Sequence, residues 1–133
     1  MRTLAVDHGT KRVGLAISDE TGTIAQSIGH VEPKIAEVLR VATERGAGKI
    51  VVGVPRRLDN TASEQTERAM AFMAALKAAT ALPVEGWDER LTTAQAERVL
   101  IEGNVRRADR KEKRDQIAAQ LLLQSYLDAH ETF

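Results

Sequence analysis

The stretch "LAVDHGTKRVGLAIS", Leu4 to Ser18, decides the fold of this 133-residue chain. It contains two short apolar runs, and Gly9 and Gly14 bracket the cations in the link between them. This pattern predicts a hairpin of two buried strands. Asp7 closes the first run, where an acid either caps the turn or takes part in function. The rest of the sequence bears on which of the two applies.

Strand and helix patterns alternate after the hairpin. In order, they predict a third strand at residues 23–28, a helix ending at Gly46, a strand at 49–55, a helix from a Thr61/Glu64 capping box to about Ala79, a strand at 82–87, a helix at 92–103 and a last helix opened by Asp115. Strands joined by turns are antiparallel neighbours, whereas strands joined through helices need right-handed parallel crossovers. The order β-β-β-α-β-α-β-α-α therefore predicts one α/β domain over residues 1–133, with a five-stranded mixed sheet and helices on both faces.

Composition excludes several classes of protein. The absence of cysteine excludes a disulfide scaffold, a thiolate metal site and a cysteine nucleophile. No apolar stretch is long enough to span a bilayer, and no leader pattern opens the chain, so we expect a cytoplasmic protein with no membrane partner. Aromatic residues make up 3%, which argues against a stacking surface for single-stranded nucleic acid. Monomer and homodimer both stay open.

The net charge is zero, but one segment is strongly basic. The segment "RRADRKEKR" has six basic and two acidic residues, a local balance of 6 − 2 = +4. A charge run is usually a solvated face. Because this one directly precedes Asp115, we predict a mobile loop and helix entry that hold phosphates beside that acid. Its cations are Arg106, Arg107, Arg110, Lys111, Lys113 and Arg114.

Several acids follow strands or open the last helix. Ligands of open α/β sheets bind beyond the carboxyl ends of the strands, where Asp7 and the pair Asp88 and Glu89 are predicted to lie. Asp115 shares the apolar side of the last helix with Ala119, which predicts that it faces the protein. We therefore expect these carboxylates to converge at one edge of the sheet.

Converging carboxylates repel one another unless a cation lies between them. Hard oxygen ligands without cysteine select Mg²⁺ or Mn²⁺. Two such ions, about 3.5–4 Å apart, can activate a water and hold the leaving oxygen of a phosphodiester. Lys11, Arg12 and Arg90 would then hold the phosphate backbone together with the basic segment.

Each acid also has a structural interpretation. Asp7 could cap the turn, and Asp88 or Glu89 could pair with Arg90. Asp115 could be the N-cap of the last helix. Which of Asp88 and Glu89 would bind metal stays open at this point.

Four motifs, "LAVDHGTKRVGLAISD", "IVVGVP", "DERLTTAQA" and "DQIAAQLLLQSYLD", occur in this order and together resemble the YqgF family over nearly the whole chain. These are RNase H-like bacterial proteins described as nucleases of the 16S ribosomal RNA precursor or as Holliday-junction-resolvase-like. The resemblance implies an RNase H-like sheet and metal-dependent hydrolysis of phosphodiesters during ribosome biogenesis. It also implies that Asp7, Glu89 and Asp115 are catalytic and metal-binding, and that Lys11 and Arg12 are the turn cations.

The chain departs from the family at two places. The loop after "VGVP" usually carries glycines, whereas this sequence has Asn60 and Ser63 there. Many RNase H-like nucleases also place an acid at the end of the strand after the first helix, whereas this strand ends Gly53-Val54-Pro55.

Precursor ribosomal RNA is the favoured partner, and three alternatives stay open. Branched DNA is one, because a Holliday-junction resolvase would use the same chemistry. A non-catalytic nucleic-acid-binding factor is another, because the strand-end acid is missing. The third follows from "DHGT" after a strand, which also resembles the first phosphate motif of the actin, Hsp70 and sugar-kinase superfamily.

Overall fold

The sheet grows outward from the first hairpin. The computed structural model describes residues 1–55, 63–88 and 107–130, with the backbone alone for 107–116. Its five strands are β1 (Arg2–His8), β2 (Val13–Ser18), β3 (Ala25–Val31), β4 (Ala47–Val54) and β5 (Val84–Asp88). The strand order is β3-β2-β1-β4-β5, with β1, β2 and β3 antiparallel and β1, β4 and β5 parallel. The predicted mixed sheet is confirmed.

Among the described residues, three helices cover the sheet. They are α1 (Ile35–Glu44), α2 (Glu64–Ala79) and α3 (Arg107–Ala129). Gly46 lies directly after the C-cap of α1 with φ of 67°, a left-handed conformation that suits glycine, so the predicted stop is confirmed. The helix predicted at 92–103 lies outside the described residues. None of the described helices is both long enough and apolar enough to cross a bilayer.

The N-terminus of α2 differs from its prediction. Ser63, and not Thr61, is the N-cap, because its hydroxyl accepts from the Thr66 backbone while the Thr66 hydroxyl accepts from the Ser63 backbone. Ser63 has φ of −122°, an extended conformation that requires no glycine. The serine that stands where the family usually carries glycine therefore acts as a helix cap.

The two faces of the sheet carry different cores. Large residues of β1, β2 and β4 pack against α1 and α2, including Leu4, Val6, Leu15, Ile50 and Val52. The opposite face is lined by small residues, Ala5, Ala16 and Ala25 with Val51, which pack against Ala119, Leu122 and Leu123 of α3. Helices on both faces confirm the predicted layers. The small residues let α3 approach β1 and β2 closely.

Two glutamines anchor α3 to the sheet. The Gln124 side chain accepts from the Ala25 backbone at 2.9 Å, and Gln120 donates to the Ala25 carbonyl at 3.3 Å. Ala25 pairs with Ser18, whose hydroxyl accepts from the Thr3 backbone. These bonds hold the part of α3 from Gln120 to Gln124 at the level of the amino end of β1.

Candidate functional site

Asp7 lies next to the carboxyl end of β1, on the face that α3 covers. Side chains alternate between the two faces of a strand. Leu4 and Val6 enter the core under α1 and α2, whereas Ala5 enters the core under α3. Asp7 therefore shares the face of Ala5, and it is half-buried. The structure thus places this predicted ligand where a carboxylate can meet α3.

The turn after Asp7 brings two cations to the same edge. The Gly9 backbone donates to the Arg12 carbonyl at 3.0 Å and closes the turn. A Cβ on Gly9 would lie 2.6 Å from that carbonyl oxygen, so the turn requires glycine at this position. Lys11 is exposed and Arg12 is half-buried. Both predicted turn cations therefore lie at the Asp7 edge.

The register of β5 separates the two candidate acids of the last strand. Val84 packs in the core under α1 and α2, and a Cβ on Gly86 would touch the Met73 sulfur of α2 at 3.3 Å. Asp88 follows them by alternation and lies on the α2 face, opposite to Asp7. Glu89 lies outside the described residues, as does Arg90. The geometry therefore disfavours Asp88 as a partner of Asp7.

Helix and strand lengths are compatible with the predicted approach of Asp115 to Asp7. Leu122 lies midway between the two glutamines that bind Ala25, and Asp115 precedes it by two turns, about 10 Å along the helix. Asp7 lies four residues beyond Thr3, about 13 Å along β1. Asp115 also precedes the buried Ala119 by one turn, on the same helical face. The Asp115 side chain itself lies outside the described part.

The predicted loop before Asp115 is wrong. The backbone is helical from Arg107, so Asp115 lies inside α3 and is not its N-cap. The sequence signal was helix propensity, because arginine, lysine, glutamate and alanine are all strong helix formers. Apolar periodicity, on which the prediction relied, begins only after Asp115.

Helix geometry arranges most of the basic segment as a stripe. Arg107, Arg110, Lys111 and Arg114 recur at i, i+3, i+4 and i+7, which places them on one face of α3. Ser125 follows Arg107 by five turns and shares that face, and its hydroxyl accepts from the Trp87 indole at 3.3 Å. We call these four cations the α3 stripe. It runs along the β5 side of α3; Lys113 lies on the Gln120 and Gln124 side, and Arg106 lies outside the described residues.

A polar and aromatic cluster on the β4 and β5 side of the sheet holds the C-terminal part of α3. The Lys49 ammonium of β4 lies 3.1 Å from the Glu85 carboxylate of β5 and donates to the Tyr126 hydroxyl. These contacts, with Tyr126 first, raise the pKa of Lys49 and lower the pKa of Glu85. His130 stacks on Tyr126 at 4.1 Å, and Trp87 meets Tyr126 edge-on at 5.3 Å. Sequence patterns missed this cluster because its members are far apart along the chain.

His8 belongs to the opposite face from Asp7. Its ring lies 4.7 Å from the Phe72 ring of α2. Burial lowers the pKa of His8, and the nearby positive charge of Arg68 lowers it further. This packing gives His8 a structural role on the α2 face.

The donor set at the Asp7 edge fits a hard divalent cation. Asp7 is a half-buried oxygen donor beside a glycine, and the chain contains no thiolate that would select a softer metal. Among the side chains that the structure describes, no three or more potential metal ligands come together. Of the three predicted ligands, Glu89 and the side chain of Asp115 lie outside the described part of the chain.

A family model described as RuvX, Holliday junction resolvase, matches residues 1–129. The chain belongs to this family. The resemblance indicated by the sequence motifs is thereby confirmed, and a match over nearly the whole chain favours it over the actin-like alternative.

Relatives of this RuvX-family chain align along nearly its full length. A Pelotomaculum thermopropionicum protein named "Putative pre-16S rRNA nuclease" is 42% identical over 135 residues, which cover 97% of this chain and 88% of the relative. A Listeria monocytogenes protein of the same name is 42% identical over 135 residues, covering 96% of this chain and 98% of the relative.

Solved structures share the architecture at low sequence identity. Fowlpox virus resolvase in complex with substrate Holliday junction DNA has a TM-score of 0.60 and 17% identity, covering 99% of this chain and 100% of that chain. Thermus thermophilus RuvC in complex with a Holliday junction substrate has a TM-score of 0.54 and 17% identity, covering 98% and 96%. These likenesses show the fold, which is RNase H-like as predicted.

Proposed function

We propose that the chain is a metal-dependent endonuclease that hydrolyses phosphodiester bonds in structured nucleic acid, with precursor 16S ribosomal RNA as its substrate. The observation that carries this proposal is the position of Asp7 at the carboxyl edge of β1, on the face of the sheet that α3 covers. The names of its relatives support the choice of substrate. Ribosome maturation would place the protein in the cytoplasm.

Three carboxylates carry the proposed chemistry. Asp7, Glu89 and Asp115 hold Mg²⁺ or Mn²⁺ through oxygen ligands, which these ions prefer. The bound ions supply activation of water and stabilisation of the leaving oxygen. Asp7 contributes a ligand fixed by the β1 ladder, so its position changes little on binding. Asp115 precedes the buried Ala119 by one turn of α3, and Ala119 packs on the face of the sheet that carries Asp7, which supports the assignment of Asp115.

Cations around the acids hold the phosphate backbone. Lys11 and Arg12 lie at the turn beside Asp7, and the α3 stripe runs along the β5 side of the helix. Arg90, Arg106 and Lys113 complete the proposed set. Phosphate contacts of this kind position a nucleic acid without reading its sequence.

Two other functions rest on specific observations. A Holliday-junction DNA resolvase is supported by the family description and by the titles of both resolvase structures. A non-catalytic nucleic-acid-binding factor is supported by β4, which ends at Val54 without a carboxylate beside Asp7. Both alternatives use the same surface.

One experiment separates these functions. Purified protein is incubated with precursor 16S ribosomal RNA, a four-way DNA junction and single-stranded controls, with Mg²⁺, with Mn²⁺ and with chelator. We expect metal-dependent cleavage of the precursor RNA, and none by Asp7→Asn. Cleavage of the junction alone identifies a DNA resolvase. Binding without cleavage under every metal condition contradicts the nuclease and supports the binding factor.

A further inference from the structure

A row of residues from all five strands crosses the sheet at the level of Asp7. His30 of β3 pairs with Gly14 of β2, and Gly14 pairs with Asp7. On the other side of Asp7, Val6 pairs with Val52 of β4, so the next residue, Gly53, lies at the level of Asp7, and Gly53 pairs with Trp87 of β5. Paired residues of neighbouring strands point to the same face of a sheet. Asp7 therefore has a glycine beside it on each neighbouring strand.

The His30 end of this row lies on the face of Asp7. Val13 and Leu15, on either side of Gly14, are buried in the core under α1 and α2. Val31, next to His30, packs against that same core. Gly14 and His30 consequently present the α3 face, as Asp7 does.

Exposure distinguishes the two sides of Asp7. Gly53 is buried, whereas Gly14 is half-buried and His30, at the edge of the sheet, is exposed. The described bonds between α3 and β3 all lie near Ala25, at the other end of that strand. Solvent therefore reaches Asp7 more readily across Gly14 than across Gly53.

We propose that the phosphate backbone reaches Asp7 across Gly14, and that His30 donates a hydrogen bond to a phosphate at the outer end of this path. This inference rests on the proposed function and specifies the side from which substrate arrives. His30 lies two strands from Asp7, about 10 Å at the usual strand spacing. That distance suits contact with a phosphate adjacent to the one at Asp7.

The missing side chain of Gly14 is the central element of this path. Directly opposed Cβ atoms of antiparallel strands lie about 4.5–5.5 Å apart. A methyl group on residue 14 would therefore occupy the space beside the Asp7 carboxylate where a hydrated ion and a phosphate oxygen must fit. A larger side chain would obstruct more of that space.

Gly14→Ala and Gly14→Val test this role by side-chain size. Mn²⁺ affinity is measured by titration, and RNA affinity is measured in the presence of chelator. Thermal unfolding is measured without metal. We expect both affinities to fall, about tenfold or more for valine and less for alanine. The unfolding midpoint should stay level or rise, because alanine and valine suit a strand better than glycine does.

Gly86→Ala is the matched control, since Gly86 is a strand glycine that packing requires. Its Cβ would lie 3.0 Å from Val54 and 3.3 Å from the Met73 sulfur, on the α2 face. We expect it to lower the unfolding midpoint and to leave Mn²⁺ affinity unchanged. If Gly14→Ala instead behaves like Gly86→Ala, residue 14 serves helix packing, and the proposed path is wrong.

His30→Ala tests the phosphate contact at the outer end of the proposed path. Gln26→Ala is the control, because Gln26 is also exposed and lies on the same strand. We expect about a three- to tenfold loss of RNA affinity for His30→Ala, the size of one hydrogen bond, and no change for Gln26→Ala. Equal affinities would overturn the contact. A wild-type protein that binds no nucleic acid contradicts the proposed function as well, whereas wild-type cleavage with unaffected Gly14 variants contradicts the path alone.

Discussion

The two faces of the sheet divide stability and function between them. The face under α1 and α2 is lined by large aliphatic residues and Phe72, and it receives His8 and Asp88. The face under α3 is lined by alanines, and it receives Asp7. Asp7 and His8 are neighbours in sequence, yet strand alternation gives them different environments. Position in the strand, more than position in the sequence, therefore decides which polar residue can bind a ligand.

The largest expected difference is between the two aspartates at the carboxyl edge. Asp7→Asn removes a proposed metal ligand, whereas Asp88→Asn makes the same chemical change on the α2 face. We expect Asp7→Asn to lose at least about a hundredfold in cleavage, since even outer partners of metal ligands cost 10–100-fold. Asp88→Asn should retain activity. Cleavage of precursor RNA at saturating Mg²⁺ measures both.

Thermal unfolding of Asp7→Asn without metal provides the control. Removing one of several clustered negative charges should leave the unfolding midpoint unchanged or raise it. A variant that folds and cleaves at the wild-type rate would exclude Asp7 from the site. Equal losses in both variants would contradict the division between the faces.

The fold follows from patterns that local sequence carries. The hairpin around Asp7 and the run that forms β4 are β-branched and aliphatic segments separated by turn residues, so their strands were predictable. The start of α3 was not, because Arg107 to Arg114 lacks apolar periodicity and only its helix propensity indicates a helix. Long polar helix extensions are missed for this reason.

The site was only partly predictable, because its details depend on register. The carboxyl edge and Asp7 follow from strand order alone. The placement of Asp88 on the α2 face depends on the register of β5 and on where this strand ends, and strand ends are poorly determined by sequence. The pairing of Gly14 with His30 follows a register shift between Leu15 and Ala16 of β2, which no local pattern reveals. Glu89 stays a prediction.

The next largest difference in activity is expected between substitutions of two buried alanines, one in the helix on each face of the sheet. Ala119 of α3 and Ala69 of α2 are both fully buried. Leucine at either position overpacks its face and should destabilise the protein by about 1–3 kcal/mol. Ala119→Leu should also displace the helix that carries Asp115, and a shift of about 1 Å can cost a hundredfold in rate. Thermal unfolding is measured for both variants, and their cleavage is compared at a temperature well below both unfolding midpoints.

We expect cleavage by Ala119→Leu to fall more than tenfold and cleavage by Ala69→Leu to fall little, at matched folded fractions. This outcome separates stability from site geometry, because both variants lose similar stability. Equal activity in the two folded variants would show that α3 does not set the geometry of the site.

The α3 stripe should give a smaller, salt-dependent effect. Arg110→Ala with Arg114→Ala removes two cations one turn apart on the same helical face. We expect weaker binding to all nucleic acids alike and a salt slope reduced by roughly one unit for each lost phosphate contact. Arg45→Ala with Lys77→Ala is the matched control, because these exposed cations lie at the C-terminal ends of α1 and α2. Affinity is measured across salt concentrations, and identical slopes in the two double variants would contradict phosphate binding by the stripe.

The smallest effect concerns the stability face and pH. The folded-state pKa of His8 lies below its ordinary value of 6.5, first because of burial and then because of Arg68. The unfolded chain therefore binds the proton more readily, so the contribution of His8 to stability is complete above pH 6.5 and is lost as pH falls through the folded-state pKa.

His8→Phe keeps a ring against Phe72 and removes the titration. The difference in unfolding midpoint between variant and wild type should grow in favour of the variant below pH 6.5, by a few degrees at most. Because other groups titrate alike in both proteins, this difference isolates His8, and a value constant from pH 7.5 to 5 would contradict the assignment. Cleavage at pH 7.5 should be unchanged, because His8 lies on the opposite face from Asp7.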